Sequence, residues 1–296
     1  MSSLKPDLKI VIDEICTEYQ QHDIQSNRMD AVRLDNFGYL FGSIPLDAVF
    51  QDLVIEGVIH PDAIPMWGGQ QYTVDTSIAV LGYIEGDLAI KNVHVTTAHM
   101  GLAVWYYEGD SHVIVGGSEA DKCVVDNVDW GSSIRANYAP IVISHNEIRN
   151  SHLDAVSANY NSGLAIENNR ITMADPEDYL GSGFKLQNSD GVIVQDNTIS
   201  GTTWGPAIRL FWVTNSTIEG NLITDYVIGN PDWSGIDVGY SNHNRIAKNQ
   251  FVNVTGGRAA VELWGWWNGS YGNTLKYNDY TLSDYPGWYE GEVRFF

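Results

Sequence analysis

Basic residues are scarce in this chain: 16 Lys and Arg stand against 37 Asp and Glu, giving a formal net charge of -21 over 296 residues. Such an acidic surface repels phosphate backbones and anionic lipid, so neither nucleic acid nor membrane is an expected partner. Cysteine is nearly absent. Cys16 and Cys123 lie far apart beside apolar residues, which excludes a disulfide framework and points to two buried free thiols. There is no apolar run of about eighteen residues, and the start MSSLKPDLKIVIDE lacks the basic-then-apolar pattern of a secretion leader. A soluble chain is expected, either cytoplasmic or exported with its leader removed. Zinc-like His and Cys spacing, a G-x-S-x-G elbow and a phosphate-binding glycine loop are also lacking, so no cofactor is expected.

Glycine and aromatic residues are plentiful, with 29 Gly and 10 Trp. Glycine serves turns and aromatic residues favour strands, so the composition describes a turn-rich, all-β protein. The order within it is a repeat. The strings IVISHNEI (141 to 148), LAIENNRI, VIVQDNTI, STIEGNLI, NRIAKNQF and NTLKYNDY align without gaps, and their shared residues Asn146, Asn169, Asn197, Asn221, Asn249 and Asn278 are spaced by 23, 28, 24, 28 and 29. LVIEGVIH, LAIKNVHV and VVDNVDW extend the frame upstream with Val58, Val93 and Val128 in place of Asn, making nine copies.

Each string alternates apolar and polar residues, the period of a strand, and is too short to fold alone. Between the strings lies a second strand segment: GLAVWYY, SIRANYA, AVSANYN, GFKLQNS, AIRLFWV, GIDVGYS and AVELWGW. Two strand segments in a unit of about 25 residues describe the turns of a solenoid and not propeller blades. The expected fold is therefore an all-β, single-domain, right-handed parallel β-helix of nine to ten coils over residues 1 to 296. Coils span 50 to 280, a cap helix 7 to 21, and an aromatic C-terminal cap 285 to 296. Right-handed coiling follows from the crossover preference of parallel strands. The repeated Asn fits a structural ladder at a tight turn, amide bonded to amide from coil to coil.

The I-x-x-N-x-I strings with their intervening GF, GI and AI strands resemble the right-handed parallel β-helix superfamily of pectate lyases, chondroitinase B, alginate lyases, glycoside hydrolases and phage tailspikes. The resemblance covers residues 50 to 280 and implies the fold; activity resides in the particular site each member carries.

Along the second strand set, Leu102 and Val104, Ile134 and Ala136, Phe184 and Leu186, and their counterparts point inward. The residues between them point outward and stack in columns. One column reads Ala103, Arg135, Ser157, Lys185, Arg209, Asp237, Glu262. The next reads Trp105, Asn137, Asn159, Gln187, Phe211, Gly239, Trp264. A third, at the strand ends, reads Tyr106, Tyr138, Tyr160, Asn188, Trp212, Tyr240, Gly265, with Trp266 just beyond. Aromatic faces stack on sugar rings, and Arg, Asn and Gln bind hydroxyl or carboxylate groups, so a groove binding a carbohydrate or another small ligand is expected here. Loops entering this strand set would wall it, bringing Asp154, Asp178, Trp204, Asp232 and Trp233 near.

Two pairs offer chemistry. Lys185 and Arg209 stand one coil apart, and their coils resemble those from which chondroitinase B and alginate lyases draw a Lys base and an Arg; the resemblance implies polysaccharide β-elimination. The Arg-His pair of those lyases reads Arg209-Leu210 here, and no acidic cluster leads into Lys185. Asp237 and Glu262, also one coil apart, would form the acid and nucleophile of a glycoside hydrolase. A non-catalytic glycan-binding module and a small-molecule isomerase or cyclase use the same surface and remain open. The loop residues Asp175, Glu177 and Asp178 offer oxygen ligands for Ca2+, or a plain solvated loop. Oligomeric state is not legible.

Overall fold

A computed structural model describes residues 87–98, 100–106, 112–128, 132–138, 140–174, 181–265 and 270–282, together with strand pieces at 40–41, 48–51, 54–56, 76–82 and 294–295. Every regular element among them is a strand, and their strand pairs run parallel, in three sheets that each follow chain order coil by coil. The fold is the right-handed parallel β-helix. It amounts to about six turns and not nine to ten, with strand pieces at the ends carrying the sheets to ten, nine and ten members.

Each turn holds three strands where the sequence suggests two. In one coil these are Phe184–Gln187 in the first sheet, Ile193–Gln195 in the second and Thr198–Thr203 in the third. The repeated strings are thus two short strands bent about the recurring Asn. The bend is made by the residue before it: His145, Asn168, Asp196, Lys248 and Tyr277 all have left-handed backbone, with φ between 54° and 60°. The Asn itself is the ladder. Asn146, Asn169, Asn197, Asn221 and Asn249 each donate from Nδ2 to Oδ1 of the next Asn along, at 2.9–3.1 Å, ending on Asn278. The same acceptor oxygens take the backbone N–H of the preceding Asn. A buried amide satisfied this way fixes the register of all three sheets.

Two upstream strings are framed differently from the repeat. Val124–Val128 pairs with Glu147–Ser151, which aligns Cys123 with Asn146, and Cys123 N–H donates to Asn146 Oδ1 at 3.0 Å. The ladder position in that coil is therefore Cys123 and not Val128. Val54–Glu56 pairs with His94–Ala98 in the third sheet, where the repeat frame would put these three residues in the second; Val58 lies outside the described residues. Cys123 is a buried free thiol whose pKa burial pushes up to about 11; Cys16 lies outside the described residues.

The inward residues form one continuous apolar core, including Leu102, Val104, Ile134, Ala136, Val156, Phe184, Leu186, Ile208, Leu210, Ile236, Val238, Val261 and Leu263. Full burial of each large aliphatic side chain contributes roughly 1.5–3 kcal/mol. The proposed cap helix at 7 to 21 lies outside the described residues. Of the C-terminal cap only Arg294–Phe295 is described, pairing with Trp264 and Gly265 at the end of the first sheet.

Candidate functional site

The candidate residues lie on the first sheet. Its register pairs Ala103 with Arg135, Arg135 with Ser157, Ser157 with Lys185, Lys185 with Arg209, Arg209 with Asp237 and Asp237 with Glu262. The charged column is thus continuous, with one residue per coil and neighbouring strands about 4.8 Å apart.

This column differs from an open groove at its acidic end. Asp237 and Glu262 are 1% and 4% exposed although they point away from the core. Trp264, on the next coil from Asp237, donates from Nε1 to Asp237 Oδ1 at 2.8 Å. Glu262 receives Ser234 Oγ at 2.9 Å and Arg258 at 3.1 Å, and Arg258 also reaches Asp232 at 2.9 Å. Burial drives the Asp237 carboxyl up to about 7, with Glu262 adding to the effect, while the Trp264 N–H and Arg209 oppose it. The Asp237 carboxyl, raised to about 7, thus lies beside Glu262, which Arg258 and Ser234 hold by hydrogen bonds.

The cationic end is also enclosed. Lys185 Nζ lies 3.6 Å from Asp154 Oδ2, and Asp154 is 2% exposed. Burial raises the Asp154 carboxyl against the pull of Lys185 and Arg209. Arg209 packs its guanidinium 4.3 Å from the Trp233 ring centre and 5.8 Å from that of Phe211. Burial lowers its pKa, with Asp237 and Asp154 opposing. Its Nε is buried with no hydrogen-bond partner, as are Ser182 Oγ and Trp233 Nε1.

The aromatic column lies along the strand ends. Tyr138 and Tyr160 stack with ring centres 5.0 Å apart and planes at 13°. Phe211, Trp212, Tyr240 and Trp264 form a second cluster, with centres 4.6–6.1 Å apart. Asn137 is buried, while Asn159 and Gln187 are half-buried on the same face. The structure therefore brings together Lys185, Arg209, Asp237, Glu262, Phe211, Trp212, Tyr240 and Trp264. Arg135, Asn137, Tyr138, Asn159, Tyr160 and Gln187 continue the same sheet toward the N-terminus. The backbones of Trp105 and Tyr106 lie in the strand Met100–Tyr106, but their side chains, and the whole of Trp266, lie outside the described residues.

Sequence reasoning missed Ser234 and Arg258. Both enter from the turn before a strand, where no alternation marks a direction. Ser234 does stand three residues before Asp237, as Asp154 stands three before Ser157, and both reach the next coil's outward residue. Among the described residues no group of three or more His, Cys, Asp or Glu could hold a metal ion; Asp175, Glu177 and Asp178 lie outside them.

The family model described as "Right handed beta helix region" matches residues 89–278, and the chain belongs to that family. Similar solved structures include the A-modules of two Azotobacter vinelandii mannuronan C-5 epimerases. AlgE6 has 11% identity and a TM-score of 0.39, covering 89% of this chain and 88% of that one. AlgE4 has 8% identity and a TM-score of 0.35, covering 88% of each. The Dettilon tailspike protein has 14% identity and a TM-score of 0.29, covering 83% of this chain and 61% of that one. A search of curated proteins finds no match.

Proposed function

We propose that the protein is a carbohydrate-active enzyme that cleaves glycosidic bonds, with Asp237 as general acid and Glu262 as its partner carboxylate. The observation that carries this reading is the in-register pair itself: a carboxyl raised to about 7 next to a carboxylate bound by Arg258 and Ser234. Parallel neighbours about 4.8 Å apart suit the roughly 5–5.5 Å carboxyl separation of retaining glycosidases. Asp237 Oδ2 would give its proton to the departing glycosidic oxygen while Glu262 attacks the anomeric carbon. Asp237 would then take a proton from the water that releases the glycosyl group. Because Trp264 and Arg258 contact the pair, entry of a sugar requires both to move aside, the leaving oxygen approaching Asp237 Oδ2.

A second reading, β-elimination across a uronate with Lys185 and Arg209, is favoured by the unpartnered Arg209 Nε, which could receive a carboxylate. Against it, Lys185 Nζ is already engaged by the enclosed Asp154 carboxyl at 3.6 Å, whereas a base must be free to reach the proton it removes.

The test is incubation with a panel of neutral and uronate polysaccharides, reading reducing ends and the absorbance of unsaturated ends together. Reducing ends without new absorbance, lost about 100-fold or more in Asp237→Asn, are expected. New absorbance that disappears in Lys185→Ala would replace this reading with the lyase. Binding without turnover would replace it with a glycan-binding module.

A further inference from the structure

Five residues close the first-sheet strands on consecutive coils: Tyr138, Tyr160, Asn188, Trp212 and Tyr240. All five have left-handed backbone, with φ of 63°, 57°, 47°, 56° and 49°. Each N–H donates to the carbonyl of the residue before the next member, or to Trp264 in the last case, at 3.0–3.1 Å. That geometry costs an L-residue about 1 kcal/mol or more, and Asn, Asp and Gly bear it most easily.

The other described residues follow that preference. Among them, the remaining non-glycine positions with left-handed backbone are Asn or Asp in all but His145, His243, Lys248 and Tyr277. The bend at the first-sheet edge therefore does not require aromatic rings, yet four of its five positions carry them. Three of the four rings are also open to solvent, Tyr138 at 38%, Tyr160 at 49% and Trp212 at 53% exposed, while Tyr240 is half-buried. A core-packing role is excluded by that exposure.

Charge says what fits them. The five edge residues are uncharged, as are the strand residues immediately before them, Asn137, Asn159, Gln187, Phe211 and Gly239, in a chain with 37 acidic residues. Of the cations in the neighbouring column, Lys185 is engaged by Asp154, and Arg209 feels the opposing charge of Asp237 and Asp154. A band of open aromatic faces and side-chain amides suits neutral pyranose rings, which present apolar faces and rim hydroxyls. Asn188 interrupts the rings, so Tyr160 and Trp212 stand two coils apart, about 9.6 Å along the axis at ordinary strand spacing. The Asn188 amide is tied to Asn159 Oδ1 at 2.9 Å, which holds it on the floor of that interval.

We infer that this edge is a stacking ledge for a neutral glycan laid along the helix axis, with sugar rings seated over Asn188 between Tyr160 and Trp212. The ledge leads to the acid pair, because Tyr240 packs on Trp264 with centres 5.4 Å apart and Trp264 holds Asp237. The inference rests on the glycan-handling reading above and names the substrate class.

The experiment is calorimetric titration of the full chain with cellohexaose, xylohexaose and maltohexaose, and with a hexauronate of matched length. Wild type, Tyr160→Ala, Trp212→Ala and Asn188→Trp would be compared, with Asp237→Asn as the turnover-free control. At least one neutral hexasaccharide should bind wild type and Asp237→Asn alike. Either aromatic deletion should weaken it tenfold or more, and so should Asn188→Trp, which fills the interval, with circular dichroism and melting temperature retained. Preference for the hexauronate, neutral binding indifferent to all three variants, no neutral binding at all, or wild-type self-association abolished by Trp212→Ala in place of glycan binding would each overturn it. Ledge-dependent binding without cleavage would leave this inference standing and remove the proposed activity; cleavage through Asp237 with wild-type affinity in the edge variants would do the reverse.

Discussion

Trp264 donates its indole N–H to Asp237 Oδ1 at 2.8 Å from the next coil. The bond depends on a residue with no side chain: a Cβ at Gly239 would lie 2.5 Å from Trp264 Cζ2 and 2.7 Å from Cε2. Gly239→Ala is therefore expected to push the ring off Asp237. Indole fluorescence should report the displaced ring, and the Asp237 carboxyl, deprived of the N–H that favours its ionised form, should titrate higher, with the global fold unchanged in circular dichroism.

Losing that N–H while keeping an aromatic ring isolates its electrostatic effect. It stabilises the ionised form of Asp237, so Trp264→Phe should move the Asp237 pKa above its present value of about 7. Carboxyl 13C chemical shifts of Asp237, followed through a pH titration, check this; an unchanged or lower midpoint would contradict it.

Asp237 also ties stability to pH. Its folded pKa, about 7, lies above the ordinary value of 3.8. The folded protein therefore holds this proton more tightly than the unfolded chain does. The resulting stabilisation is complete below the ordinary carboxylate range and is lost as pH rises toward 7 and through it. Wild type should lose several degrees of melting temperature between pH 5 and 8, and Asp237→Asn should lose clearly less over the same interval.

Asp154 and Lys185 behave as a buried pair. Lys185→Ala leaves the Asp154 carboxyl enclosed without its cation, at an expected cost of about 3 kcal/mol or more in chemical denaturation. Asp154→Leu combined with Lys185→Met should recover most of that loss. Failure of the double variant to recover would indicate that Lys185 does more than neutralise Asp154.

Asn197 tests the ladder. Its Nδ2 donates to Ile166 O, Gln195 O and Asn221 Oδ1, and its Oδ1 accepts from Asn169. Removing this buried amide strands donors and acceptors on both neighbouring coils, so Asn197→Ala should cost about 3 kcal/mol or more. Asn278→Ala, at the half-exposed end, should cost less in the same denaturation experiment.

Much of this arrangement is written in the sequence. The Asn spacing marks the coil, and the alternation through Lys185, Arg209, Asp237 and Glu262 gives the first-sheet register residue by residue. The third strand of each turn was hidden because the bend needs only one left-handed residue, and His145, Lys248 and Tyr277 can supply it as well as Asn168. Cys123 was hidden for a related reason: the chain reaches the ladder through an extra excursion over 117 to 122, which shifts the frame. Burial of Asp237 and Glu262 was illegible because it arises from Trp264 lying across Gly239 and from Arg258 and Ser234 arriving out of turns. Alternation reports which way a strand residue points, but not what folds over it.

The central claim is that Asp237 acts as a proton donor in glycosidic cleavage, and the pH dependence of kcat/KM on a cleaved glycan tests it most directly. The rate should fall as pH rises through about 7, where Asp237 loses its proton, and Asp237→Asn should abolish cleavage while still binding the glycan. A rate that increases through the same range, or an Asp237→Asn variant that retains wild-type cleavage, would contradict the account.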